Sequence, residues 1–273
     1  VSVDTPRAAA AFRILPPGMY SRSGHVVLER AFRVYRRGWL IIFSGFFEPL
    51  FYLFALGTGL GGLVGHVIGP GGHELTYREF IAPALLASSA MNGAVYDSTM
   101  NVFFKLKHAR LYEAMLATSM GPLDVAIGEI AWALIRGGLY SAGFLIVMAV
   151  MGLTASVWAV LLLPAALLIA FGFAAVGMAA TSFMRSWQDL GLVQLAVLPL
   201  FLFSGTFYSL DVYPRWLRIV VECLPLQHGI ALLRDLNSGV LGWSLLGHGA
   251  YFAVMAVGGL LVTARRLDIL LLR

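Results

Sequence analysis

The chain has 273 residues, of which 59% are apolar and only 12% charged, with a formal net charge of +5. Soluble domains lie nearer about 45–50% apolar and about 25% charged, so this composition excludes an ordinary water-soluble globule. The basic residues stand at the ends of apolar runs, a pattern of membrane topology and not of nucleic-acid binding.

Residues 1–23 carry Arg7, Arg13, Arg22 and Pro16-Pro17 without a continuous apolar segment, and read as a cytoplasmic tail. Residues 24–38 read as an amphipathic helix lying in the membrane interface. Leu28, Ala31, Phe32, Tyr35 and Trp39 recur at helical spacing, and Arg30, Arg33 and Arg37 occupy another face. From residue 39 to 273 the chain reads as one all-α membrane domain with six transmembrane helices. The spans are placed at about Trp39–Val64, Phe80–Phe104, Val125–Leu153, Val157–Phe183, Leu190–Phe207 and Ser244–Thr263. The stretch 208–243 is too polar to cross, since Arg218 and Glu222 interrupt it and Pro225 breaks it. It reads as two short amphipathic helices dipping into, or capping, the outer leaflet. Six spans put both termini on one side with loop 105–124 and Arg185, and that side holds most of the arginines. The positive-inside rule then makes it the cytoplasm.

Glu48, Asp97 and Arg136 fall inside apolar spans. At 1.5 Å per residue, Glu48 and Asp97 lie about 12–14 Å from the cytoplasmic edge. A lone charge at such depth costs at least about 2.5–3.5 kcal/mol, so Arg136 is expected to pair with Glu48 or Asp97. These groups serve either as a substrate path or proton relay, or as polar glue between helices. In the loop after the second span, Ala109 to Thr118 are helix-compatible, and Gly121-Pro122 ends the helix. Exposed Leu111, Tyr112, Met115 and Leu116 there need the lipid interface or a partner protein. In the outer segment, Tyr208, Trp216, Pro225, His228 and Arg234 mark an interfacial cap, with Arg234 pairing Asp235 or Glu222. Cys223 is the single cysteine, which excludes an internal disulfide. His66, His73 and Glu74 share a glycine-rich loop without metal-site spacing, so no metal is expected. No phosphate-binding G-x-x-x-x-G-K-[ST] occurs, so the chain has no means of hydrolysing ATP alone.

Several stretches together carry a resemblance. They are Tyr112-Glu113-Ala114-Met115-Leu116-Ala117-Thr118, Gly121-Pro122-Leu123-Asp124, Gly128-Glu129-Ile130, Phe203-Ser204-Gly205-Thr206-Phe207 and Leu224-Pro225-Leu226-Gln227-His228, with Glu48-Pro49 before them. The sequence resembles the ABC-2 permeases of bacterial ABC transporters, in the branch of NodJ-like and daunorubicin-type exporters. Ser119-Met120 departs from the pattern, where a proline is expected.

The resemblance implies a type V exporter-like fold with a coupling helix near 109–118 and an extracellular re-entrant hairpin near 208–243. It implies a separate ABC ATP-binding subunit that binds ATP and Mg. Leu111, Tyr112, Glu113, Met115 and Leu116 would meet that subunit, and Arg185 and Gln188 would add a second contact. It further implies a second permease, identical or related, in the lipid of the bacterial cytoplasmic membrane. The cargo would be a lipid-linked saccharide, a lipid or an amphipathic drug. The competing expectation is a proton-coupled secondary transporter using Glu48 and Asp97.

Overall fold

A computed structural model of the protein describes residues 24–35, 39–118 and 120–271; for residues 35, 39–46 and 271 it describes the backbone alone. The expected tail over 1–23 lies outside these residues, as does the end of the interfacial helix at 36–38. Eleven α-helices follow in order among the described residues: α1 Gly24–Tyr35, α2 Trp39–Gly59, α3 Gly61–Val64, α4 Tyr77–Tyr96, α5 Leu111–Leu116, α6 Pro122–Val150, α7 Leu162–Thr181, α8 Asp189–Phe203, α9 Arg215–Glu222, α10 Pro225–Ser238 and α11 Trp243–Leu271. Among the described residues three continuous stretches are long and apolar enough to cross a membrane: Pro122–Val150, Val157–Thr181 and Trp243–Leu270. Helices α9 and α10 meet at a bend of 83°, where Pro225 opens the second of them.

The chain is not wholly helical. Strands β1 His66–Ile68 and β2 Glu74–Thr76 pair antiparallel, with His66 opposite Thr76 and Ile68 opposite Glu74. The glycines of the expected loop make the turn: Gly71 and Gly72 both take positive φ, which only glycine adopts without strain. Thr76 then starts α4 through a reciprocal cap, its hydroxyl accepting from the Glu79 N–H while the Glu79 carboxylate accepts from the Thr76 N–H. Gly121-Pro122 works differently from expectation. It opens α6, with Pro122 in the first turn and the Asp124 carboxylate accepting from the Gly121 N–H at 3.0 Å.

Helix α7 is the centre of the bundle and packs against α4, α6 and α11. Its buried face is built from Ala166, Ala170, Ala174, Ala175 and Gly177, small residues that let helix backbones approach closely. Helix α4 does not end at Tyr96. It continues through two π-helical turns, Asp97–Asn101 and Phe104–His108, which widen the helix by shifting its backbone bonds from i+4 to i+5. The Thr181 hydroxyl of α7 donates to a carbonyl in the first of them, Ser98 O, at 2.9 Å. A Cβ at Gly177 would fall 2.2 Å from Ser98 Oγ, so this close approach requires glycine.

Helix α1 docks on α6. Val27 and Ala31 are buried there, whereas Phe32, expected on the same apolar face, is 63% exposed. The reason lies on the partner: Gly128 offers a notch into which Val27 fits. A Cβ at Gly128 would lie 2.5 Å from Val27 Cβ and 2.8 Å from the Gly24 carbonyl. Gly128→Leu should therefore overpack this joint, at a cost of about 1–3 kcal/mol. Thermal unfolding in detergent should shift down and proteolysis near residues 24–38 should speed up. An unchanged melting curve would contradict the docking.

Candidate functional site

A cavity of about 430 Å³ opens between α2, α4, α6 and α8. Glu48 and Tyr52 come from α2, Ser89, Asn92 and Tyr96 from α4, Arg136 and Tyr140 from α6, and Gln194 and Phe201 from α8. This wall is polar in the middle of an otherwise apolar bundle. Ser89 Oγ and Asn92 Oδ1 are buried there with no hydrogen-bond partner among the described residues. Buried polar atoms of that kind are rare and need a reason.

Of the two carboxylates considered for Arg136, the structure chooses Asp97. Arg136 Nη1 donates to Asp97 Oδ1 at 2.7 Å, with the two side chains 7% and 2% exposed. Its Nε donates to the Tyr140 hydroxyl at 2.8 Å, and its guanidinium lies 5.7 Å from the ring centres of both Tyr96 and Tyr140. Glu48 lines the same cavity but forms no hydrogen bond or ion pair among the described residues.

A second ion pair went unread in the sequence. Lys105, which reads as a simple flank at the end of a span, turns inward and donates to Glu129 Oε2 at 2.6 Å. Tyr112 sits beside that pair and is fully buried. Burial first, and then the Glu129 carboxylate, push its phenol well above its ordinary pKa, so it stays protonated. The expectation of an exposed Tyr112 is thus corrected. Helix α5 is a six-residue piece and not the ten-residue helix expected, because Arg110 takes a left-handed conformation (φ 44°) just before it. That turn rolls Tyr112 inward, with Leu111, Met115 and Leu116 half-buried around it, and leaves Glu113, Ala114, Ala117 and Thr118 facing out.

The loop 185–189 packs against the end of the α4 extension, just before this helix. Trp187 meets His108 edge-on at 5.8 Å and Phe103 at 5.8 Å. Asp189 closes the loop by accepting the backbone N–H groups of Arg185 and Ser186 at 2.7 and 3.0 Å, and these bonds lower its carboxyl pKa. Arg185 and Gln188 remain exposed. Trp187 gave no signal in the sequence beyond being an aromatic residue at a span end.

At the opposite end of α4, Arg234 of α10 makes a clamp. It donates to the carbonyls of Phe80 at 3.2 Å and Gly205 at 2.8 Å and lies 3.7 Å over the Phe80 ring. The expected pairing with Asp235 or Glu222 does not occur: Asp235 accepts from Ser244, and Glu222 accepts from Arg218. His228 also has a partner, His248 of α11, with their Nδ1 atoms 2.8 Å apart and one ring donating to the other. Tyr208 bonds to the Tyr213 hydroxyl, Trp216 is exposed, and Pro225 sits in the first turn of α10. Among the described residues no group of three or more His, Cys, Asp or Glu could hold a metal ion.

The Asp97–Arg136 pair makes a measurable prediction. Removing one partner strands a buried charge, which costs about 3–5 kcal/mol. Asp97→Leu and Arg136→Leu should each lower the yield of folded protein sharply. The double Asp97→Leu, Arg136→Leu variant should recover most of it, as read by size-exclusion profile and thermal unfolding. A double variant no better than the worse single one would show that the pair is not coupled.

Residues 24–236 match the family model for ABC-2 type transporters. The chain is 33% identical over 216 residues to nodulation protein J of Rhizobium leguminosarum bv. trifolii, covering 79% of this chain and 78% of that one. It is 34% identical over 195 residues to nodulation protein J of Rhizobium leguminosarum bv. viciae, covering 70% and 73%. With nodulation protein J of Rhizobium meliloti (strain 1021) the identity is 32% over 193 residues, covering 70% and 72%. The chain belongs to the ABC-2 type transporter family, in its NodJ-like branch, and is the multi-pass membrane permease subunit of an ABC exporter whose ATP is hydrolysed by a separate subunit.

Proposed function

We propose that this chain is half of an export pathway across the bacterial cytoplasmic membrane. It spans the membrane six times, through α2, α4, α6, α7, α8 and α11, with both termini in the cytoplasm. Helices α9 and α10 form an extracellular re-entrant hairpin. A second permease, identical or related, faces the α2 and α8 side of the cavity from within the lipid. The partner ATPase binds ATP and Mg, and the cargo is a lipid-linked saccharide, a lipid or an amphipathic drug. Nucleic acid has no part in it.

One observation carries the coupling part of this reading. Loop 185–189 packs on the π-helical turn Phe104–His108 that leads directly into α5, through the His108–Trp187 contact, and on this reading the loop and α5 form one exposed surface. On that surface the partner meets Glu113, Ala117, Thr118, Arg185 and Gln188, while Leu111, Tyr112, Met115 and Leu116 hold the helix to the body. The left-handed Arg110 supports the reading, because backbone strain of this kind clusters at sites under functional constraint. Proton coupling through Glu48 and Asp97 is weaker, since Arg136 already engages Asp97.

The test is a pull-down with the cognate ATP-binding subunit. Glu113→Arg combined with Ala117→Glu should weaken association about tenfold or more, because the charge falls in a desolvated contact. ATP-driven export should fall with it, while the variant melts like the parent. Full export by the permease without any ATPase subunit would sink the reading.

A further inference from the structure

The cavity wall carries an unbalanced charge. Arg136 is matched by Asp97 at 2.7 Å and spends its Nε on the Tyr140 hydroxyl. Lys105 is matched by Glu129 at 2.6 Å, away from the cavity lining. Glu48 alone brings a carboxylate into the cavity with no hydrogen bond or ion pair among the described residues. Pro49, which follows it and is buried, has no N–H, so a backbone carbonyl is released from the helix ladder one turn before.

Tyr52, Tyr96, Tyr140 and Phe201 line the same cavity. Tyr52 and Phe201 are in contact, with ring centres 5.4 Å apart, which joins α2 to α8 across the mouth. Aromatic faces attract cations, and more strongly where water is excluded. Ser89 Oγ and Asn92 Oδ1 add acceptors that no described residue satisfies. A carboxylate, aromatic faces and free acceptors form one consistent set, and a volume of about 430 Å³ suits a drug-sized group.

We infer that this cavity is a binding site for an organic cation carried on an apolar body, with Glu48 as its counter-ion. The inference deepens the export reading by naming the cargo's charge and rests on that reading only for the direction of movement. Binding itself needs neither ATP nor the partner subunit, so it is tested without them.

The probes are tetraphenylphosphonium and tetraphenylborate, lipophilic ions of nearly the same shape and opposite sign. Equilibrium binding of each is measured on the full chain in lipid nanodiscs, with empty nanodiscs subtracted. The parent protein should bind the phosphonium saturably and prefer it over the borate. Glu48→Gln should weaken phosphonium binding about tenfold, equivalent to about 1.4 kcal/mol, and should not weaken borate binding. Glu48→Asp should keep the preference for the cation, which separates loss of charge from loss of fold. Equal binding of the two ions by the parent would overturn the inference. So would phosphonium binding unchanged in Glu48→Gln, or a Glu48→Asp protein without preference. A cation preference that persists while ATPase-dependent export fails would reject the exporter reading and leave the site standing.

Discussion

The pairing of Arg136 with Asp97 sets the terms for the rest of the bundle. A guanidinium among apolar helices is tolerated only where a carboxylate and further acceptors meet it. Asp97 can meet it because α4 changes from α to π geometry at that residue. The wider turn presents the Ser98 carbonyl to α7. The Thr181 hydroxyl donates to it, and α7 comes this close only because Gly177 has no side chain. One charged pair thus fixes the relative positions of α4, α6 and α7, the three helices around which the others gather.

The same logic of satisfying polar groups inside an apolar body operates at both ends. At one end Arg234 gathers carbonyls from α4 and from the turn after α8, so the α9–α10 pair is tied to the bundle by hydrogen bonds and not by apolar contact alone. The Asn237 amide adds a bond to the Leu153 carbonyl at 3.1 Å, holding the turn between α6 and α7. At the other end Lys105 and Glu129 join α4 to α6 beneath α5. Between the two ends lies a cavity whose polar atoms are not all satisfied, and this is where the bundle departs from its own rule.

Much of this was legible in the sequence, and the boundary has physical reasons. Apolar runs reveal helices because lipid and helix core both demand apolar side chains, so the order of the long helices could be read directly. The need of Arg136 for a carboxylate could be read too, since depth along a helix follows from rise per residue. Which carboxylate could not, because the choice depends on a π turn that no residue pattern announces. Lys105 looked like a flank because a lysine near a span end ordinarily faces water; a glutamate one helix away recruited it inward. Tyr112 looked exposed because a ten-residue helix would present it so, and Arg110 shortened and rolled that helix. His228 and His248 are twenty residues apart in separate helices, so only the packing of α10 on α11 reveals their contact.

The inward turn of Tyr112 has a mechanical consequence. Six residues are too few to form a stable helix on their own, since nucleation is costly and few hydrogen bonds repay it. An isolated α5 would be a soft contact, and a push upon it would be dissipated in its own fraying. With Tyr112 fully buried beside Glu129, and Met115 and Leu116 against the core, α5 is held to α6 at a side chain that is itself locked to α4 through Lys105. On the proposed reading, a displacement imposed at Glu113 and Ala117 acts on two long helices at once. Those two helices are joined by the Arg136–Asp97 pair, and Arg136 lines the cavity, so the docking surface and the cavity share the same rigid elements.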